Sequence, residues 1–321
     1  MTSVDQAPTA HPRRSGLAAA GVVLLVALAT GVSARTPQRP PTFQAGIEVI
    51  RLNLSVTDGR NRLIRGLSGS DFAVFEDGIR QDLSFFTRDA LPLSVSLLVD
   101  CSASMDEKLP VAQEAGARFV KTLRPEDLGQ VVQFNDRIKL LLDFTADHWA
   151  LEAAIRRTRA SGSTVLYNAL YVALKQLRSQ DSPDAPRRRA IVLLSDGDDT
   201  ASLVNDDQVL ELARHADVGV YVICLRPDRA QDRQRIAFSQ ATHFLTALTR
   251  DTGGEVYFPN SLSELDAVYG RVAEELRSQF TVGYVSRNDR RDGKWRRIVV
   301  RTPARDDLQI RHKLGYYASQ R

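Results

Sequence analysis

Cysteine is almost absent from this 321-residue chain, which carries only Cys101 and Cys224. One possible pair cannot staple a loop-rich scaffold, so the fold has to rest on a hydrophobic core. Aromatic residues are sparse, at 7% with two tryptophans. Charge of one sign is also lacking: 43 basic residues face 39 acidic ones, a net of +4, with no long lysine–arginine block. That balance does not suggest a nucleic-acid partner. A single long uncharged apolar run occurs, Gly16 to Val32, which excludes a multi-span membrane protein. The five histidines (His11, His148, His215, His243 and His312) show no metal-ligand spacing. Neither a Gly-x-Ser-x-Gly elbow nor a Gly-rich Lys-Ser/Thr phosphate loop is found. What remains is 43% hydrophobic and 26% charged, the composition of a globular chain long enough for a sizeable core.

The apolar run sits between Arg13-Arg14 and Val32-Ser33-Ala34. A basic start, an apolar middle and small residues at the end form a secretory signal, with cleavage expected after Ala34. The rival reading is an uncleaved N-terminal anchor. No cysteine lies near residue 34, so lipid attachment there is excluded. Residues 35–42 read as an extended linker. The expected location is the periplasm, the cell surface or the medium, with membrane contact only through residues 16–32 if they are retained.

Three regions follow. In 43–90, Ile50, Leu52, Leu54 and Val56 alternate with polar residues as in a half-buried strand, and Asp58-Gly59 and Glu76-Asp77-Gly78 mark turns. Region 91–278 alternates strands and helices. Leu93 to Val99 is a strand ending at Asp100. Ala190 to Leu194 is an uninterrupted apolar run, as expected of a strand buried on both faces, and Val218 to Leu225 is another. Leu166, Ala169, Leu170, Ala173 and Leu177 lie at helical spacing, as do Leu265, Val268, Tyr269, Val272 and Leu276. This pattern predicts an α/β doubly wound fold with a mostly parallel sheet. Region 279–321 returns to β character, with a turn at Asp292-Gly293. Segments 43–90 and 279–321 are each too small to bury a face alone, so we expect them to pack together with the α/β domain inserted between them.

Ligands bind outside the carboxyl ends of the strands in doubly wound sheets, and three motifs fall there. Asp100-Cys101-Ser102-Ala103-Ser104 follows the first strand of the region, Ser161-Gly162-Ser163-Thr164 precedes a helix, and Ser195-Asp196-Gly197 follows the buried run. Asp100, Ser102 and Ser104 are hard oxygen donors, suited to Mg²⁺, Mn²⁺ or Ca²⁺ and wrong for a thiolate zinc site. Thr164 could add a hydroxyl and Asp196 a second carboxylate, directly or through water. Two carboxylates only neutralise a divalent ion, so an open vertex would favour a carboxylate from a partner. Taken alone, Asp-x-Ser-x-Ser suits a helix N-cap equally well. Asp198 and Asp199 read as solvated loop or cap residues.

These motifs resemble the von Willebrand factor type A domain with its metal-ion-dependent adhesion site, whose pattern is Asp-x-Ser-x-Ser, a distant Thr and a distant Asp-Gly. The resemblance implies metal ligands at Asp100, Ser102, Ser104, Thr164 and Asp196. Leu67 to Gly78 and His312-Lys-Leu-Gly-Tyr-Tyr317 further resemble an exported, acidobacterial subgroup of such proteins. Cys101 departs from the pattern, which favours small or aliphatic residues there. In the strand order implied by the family, the strand bearing 190–194 separates Cys101 from Cys224, so two buried free thiols are expected.

The expected function is a non-enzymatic, metal-dependent protein-binding or adhesion module whose partner offers Asp or Glu. An envelope scaffold is the alternative. A metal-dependent hydrolase is disfavoured because Ser102 stands where phosphotransferases place a second carboxylate for acid–base work.

Overall fold

The architecture was obtained as a computed structural model, and it describes residues 49–88, 91–180, 186–225 and 240–320. The signal and linker expected over 1–42 lie outside these residues. No helix among the described residues is long and apolar enough to cross a membrane.

The first segment forms β1 (Val49–Thr57), β2 (Ala73–Glu76), β3 (Ile79–Gln81) and β4 (Leu83–Thr87). The alternating region forms β5 (Leu93–Asp100), α1 (Leu109–Lys121), β6 (Leu128–Phe134), β7 (Ile138–Thr145), α2 (His148–Arg156) and α3 (Leu166–Ser179). It continues through β8 (Arg188–Ser195), α4 (Asp206–Ala216), β9 (Gly219–Cys224), α5 (Gln240–Thr252), β10 (Val256–Tyr257) and α6 (Leu265–Ser278). The last segment gives β11 (Phe280–Val285), β12 (Trp295–Arg301), β13 (Gln309–Arg311) and β14 (Gly315–Tyr317).

The central sheet runs β10-β9-β8-β5-β6-β7, parallel throughout except for the antiparallel edge strand β7. Every residue of β5 and β8 is buried, which explains the unbroken apolar run Ala190–Leu194 in β8. Their side chains still alternate between two cores. Val95, Leu97, Val192 and Leu194 meet α1, α2 and α6 on one face. Leu98, Ile191 and Leu193 meet α3, α4 and α5 on the other. Doubly wound α/β is therefore the observed class.

The terminal segments interleave. β1 pairs with β11 and β13, and β11 also takes β4, giving the order β13-β1-β11-β4. A second sheet runs β14-β12-β2-β3. The two close over one core of Ile50, Leu52, Leu54, Phe72, Phe280 and Val282, with companions. Each sheet thus draws strands from both ends of the chain. The Glu76-Asp77-Gly78 stretch needs a correction at its first residue. Only Asp77 (φ 47°) and Gly78 (φ 84°) form the turn, in the left-handed region that a two-residue hairpin loop requires. Glu76 is the last residue of β2 and is buried, accepting hydrogen bonds from the hydroxyls of Tyr284 at 2.9 Å, Ser286 at 2.6 Å and Tyr316 at 3.1 Å.

Candidate metal centre

Strand β5 delivers Asp100 to the carboxyl edge of the sheet, where its side chain is fully buried. The chain then turns sharply: the Ser102 amide donates to Asp100 Oδ1 at 2.9 Å, and a single 3₁₀ turn covers Ala103–Met105. Every-other-residue spacing brings the Ser102 and Ser104 hydroxyls together at 3.1 Å. Met105 is completely buried and anchors the turn from below.

Two further loops are stitched to this one. The Ser161 amide donates to the Cys101 carbonyl at 2.8 Å, and the Ala103 amide donates to the Gly162 carbonyl at 3.0 Å. The loop carrying Thr164 is thus held against the Asp-x-Ser-x-Ser turn. Thr164 receives hydrogen bonds at its carbonyl from the amides of Thr200 (3.0 Å) and Ala201 (3.1 Å), which tie it to the loop after β8. Among the described residues the Thr164 hydroxyl makes no hydrogen bond, so its lone pairs remain available.

The third loop begins at Ser195. Its buried hydroxyl donates to Asp100 Oδ2 at 2.5 Å and accepts from the Gly197 amide at 3.0 Å. Gly197 has φ 99°, and a Cβ there would also stand 3.1 Å from Cys224 Sγ, so the Asp-Gly pair is a steric requirement of the turn. Asp196, partly exposed, meets Lys108 Nζ at 3.4 Å. The structure therefore joins the three sequence motifs into one hydrogen-bonded loop cluster.

Electrostatics set the character of the cluster. Burial raises the Asp100 carboxyl to about 6, and the charge of Asp196 adds to the rise while its Ser195 and Ser102 donors oppose it. The hydrogen-bond donors to Asp100 are neutral, and Lys108 pairs with Asp196. Two carboxylates on adjacent loops, short of positive charge and flanked by hydroxyls, fit a hard divalent cation. Among the described residues no group of three His, Cys, Asp or Glu side chains is placed to hold a metal. An ion here would depend on the hydroxyl donors, consistent with the donor set and unlike a zinc site. Cys101 is excluded as a ligand by its own chemistry: burial, and then the charge of Asp100, push its thiol up to about 12. Cys101 and Cys224 are both buried and in no disulfide, with β8 lying between their strands as expected.

Two contributors escaped the sequence reading: Ser195 was visible only as a neighbour of Asp196, and nothing in the sequence singled out Lys108. Asp199, expected as a loop or cap residue, is a cap. Asp199 accepts from the Tyr167 amide at 3.1 Å and from the Ser202 hydroxyl at 2.6 Å, and the Ser202 hydroxyl accepts from the Asn168 amide at 3.0 Å. These two side chains satisfy the open first turn of α3, whose own N-cap, Val165, offers no side-chain acceptor. Asp198 is exposed.

A doubly wound sheet with an Asp-x-Ser-x-Ser turn, a threonine loop and an Asp-Gly turn gathered at its carboxyl edge defines a class of ligand-binding α/β domains. Residues 95–198 match the family model of the von Willebrand factor type A domain. It is 28% identical over 224 residues to a UPF0353 protein of Nocardia farcinica, covering 60% of this chain and 66% of that one. It is 28% identical over 199 residues to a UPF0353 protein of Mycolicibacterium paratuberculosis, covering 57% and 60%. The chain thus spans less than two thirds of the length of these relatives. Among solved structures, a von Willebrand factor type A protein from Catenulispora acidiphila is similar over 87% of this chain and 75% of its own, with 13% identity and a TM-score of 0.49. The corresponding domain of the type V pili tip protein Mfa5 from Porphyromonas gingivalis covers 58% of this chain and 95% of its own, with 14% identity and a TM-score of 0.46.

Proposed function

We propose that the protein is an exported, non-enzymatic binding module that engages an acidic group of a protein partner through a divalent cation. Asp100, Ser102, Ser104, Thr164 and Asp196 would hold Mg²⁺, or else Mn²⁺ or Ca²⁺. The ion would supply a positive centre with room for one more oxygen ligand. The observation that carries this reading is Asp100: a fully buried carboxylate with neutral donors, one loop away from a second carboxylate. Ser195 and the Ser102 amide hold the Asp100 oxygens in place, while the buried Ser102 hydroxyl meets that of exposed Ser104. Two carboxylates and three hydroxyls leave a bound divalent ion with no surplus negative charge, so an Asp or Glu of the partner is the ligand favoured for the open position.

Isothermal titration of Mg²⁺ and Mn²⁺ into wild type and Asp100→Ala tests the site. The expected result is saturable binding that the substitution abolishes, and equal affinities in both proteins reject it. A second reading, an envelope scaffold with the metal serving stability alone, is favoured by the buried polar cluster at Glu275 that fixes β-sandwich and sheet together. Pull-down of partners with and without chelator separates the two: contact through the metal requires loss on chelation.

A further inference from the structure

The opposite edge of the sheet, where the parallel strands begin, has a different chemistry. A cleft of about 490 Å³ opens there against the β-sandwich. Its walls carry Arg51, Arg187, Arg188, Arg189, Arg214 and Lys313. Asp217 is the one carboxylate among the described residues that line it. The cations come from four separated stretches of chain, which is why no basic block marks them in the sequence.

Part of this charge is compensated. Asp217 meets Lys313 Nζ at 2.5 Å and Arg189 Nη2 at 3.5 Å, and Arg214 reaches Asp251 at 2.8 Å. Among the described residues nothing compensates Arg188. It is 3% exposed, and it donates to the carbonyls of Leu276 and Gln279, each at 2.9 Å, and to the Thr281 hydroxyl at 3.1 Å. Those acceptors are all neutral, and its buried Nε has no partner among the described residues. Burial pushes this guanidinium down to about 10, a sign that its charge is held against a desolvation penalty. A buried cation of this kind is stabilised by any anion brought beside it. Among the described residues Arg187 likewise donates only to carbonyls, of Leu93 at 3.0 Å and Glu126 at 2.6 Å, and Arg51 is exposed at the mouth.

We propose that this cleft binds a phosphate or diphosphate group, either free in solution or carried as the headgroup of an anionic lipid. One carboxylate would offset a single charge, whereas a multiply charged phosphate matches the excess. The volume falls in the usual range for small-ligand clefts, roughly 300–1,000 Å³. Guanidinium forks are suited to phosphate oxygens in pairs. Tyr317, stacked on His215 with ring centroids 4.0 Å apart, contributes an aromatic wall. Arg188 begins β8 and Ser195 ends it, so the cleft lies about 23 Å from the candidate metal centre at the rise of an extended strand. The inference is therefore independent of the function proposed above.

The test is calorimetric titration of sodium pyrophosphate into the whole protein in EDTA, so that no metal contributes, at about 0.15 M salt. Saturable binding is expected, weakened about tenfold or more in Arg51→Ala and in Arg188→Gln. Asp100→Ala and Arg277→Ala, an exposed arginine elsewhere, should bind as wild type does. Arg51 is exposed, so its variant keeps the test valid even if Arg188→Gln fails to fold. Absence of saturable binding overturns the proposal, as does unchanged affinity in Arg51→Ala or an equal loss in Arg277→Ala. Flotation with phosphatidylglycerol and phosphatidylcholine vesicles then names the source. Capture by the anionic vesicles alone, lost in Arg51→Ala, supports a lipid headgroup, and pyrophosphate binding without capture supports a free phosphate.

Discussion

The Ser195 hydroxyl donates to Asp100 Oδ2 at 2.5 Å, joining the carboxyl ends of β8 and β5 inside the protein. The same oxygen accepts from the Gly197 amide at 3.0 Å, so one buried group positions both the Asp100 carboxylate and the turn that presents Asp196. Ser195→Ala should remove a donor from a buried carboxylate and leave a buried amide unsatisfied. A loss of about 1–3 kcal/mol in chelator-treated protein is expected from urea unfolding. Mg²⁺ affinity should fall as well, because Asp100 would be less firmly held in its ionised form. Unchanged stability and affinity would show that Ser195 does not organise the site.

Lys108 Nζ lies 3.4 Å from Asp196 Oδ2, with both side chains largely shielded. In the metal-free protein this ammonium supplies positive charge to an acidic face that otherwise lacks it. A divalent cation at Asp196 would have to compete with it. Lys108→Met should therefore bind Mg²⁺ about two- to fivefold more tightly, the range set by a partly shielded ion pair, while the metal-free variant becomes less stable. Parallel Mg²⁺ titration and thermal melts in EDTA check both halves. Weaker binding in the variant would mean that Lys108 assists the site.

The candidate site was legible in sequence where its chemistry is carried by residue type and spacing. Asp100, Ser102 and Ser104 sit on one turn, and Asp196 follows a strand whose apolar run ends at Leu194. Lys108 was not legible, because it acts across the fold on Asp196, and Asp199 was legible as a cap residue but not as the cap of α3, whose Tyr167 amide is remote in sequence. The sheet was read from short apolar runs such as Ala190–Leu194 alternating with stretches of helical spacing, since a run buried on both faces has no period of its own. The β-sandwich was less visible. The alternation of β1 stops at Ser55, buried because it bonds Glu275 from α6 at 2.8 Å, and no local pattern announces a partner 220 residues away. Glu76 was hidden for the same reason: a carboxylate before Asp-Gly reads as part of a turn until Tyr284 and Tyr316 are found around it.

Glu275 is the polar junction between the α/β layers and the sandwich. It is 3% exposed and accepts from Ser55 Oγ at 2.8 Å, Tyr221 at 3.0 Å, Tyr257 at 3.3 Å and Arg311 at 2.5 Å. Glu275→Gln keeps the shape but removes the charge facing Arg311 and turns an acceptor into a donor among hydroxyls. A loss of about 3 kcal/mol is expected. The neighbouring Glu274→Gln should lose less than about 1 kcal/mol, since Glu274 pairs with Arg65 on the surface. Urea denaturation of the two variants side by side makes the comparison, and equal losses would deny Glu275 its role as a junction.

His312 gives the fold a defined acid sensitivity. Its Nε2 accepts from the Val300 amide at 3.2 Å, which requires the proton to sit on Nδ1, 2.6 Å from the Lys313 carbonyl. Burial lowers its pKa below the ordinary 6.5, the charge of Lys313 lowers it too, and the Lys313 carbonyl opposes both. The unfolded chain therefore binds a proton more readily than the native one. Stability contributed by neutral His312 is present above 6.5 and is lost as the pH falls from 6.5 toward the lower native value. The slope in that window should approach, and not exceed, about 1.4 kcal/mol per pH unit for this one group. In His312→Leu the overall stability should be lower, because the Val300 amide loses its acceptor, but this part of the slope should vanish. Unfolding free energies measured from pH 8 to pH 5 on both proteins decide it: identical slopes would assign the acid sensitivity to other groups.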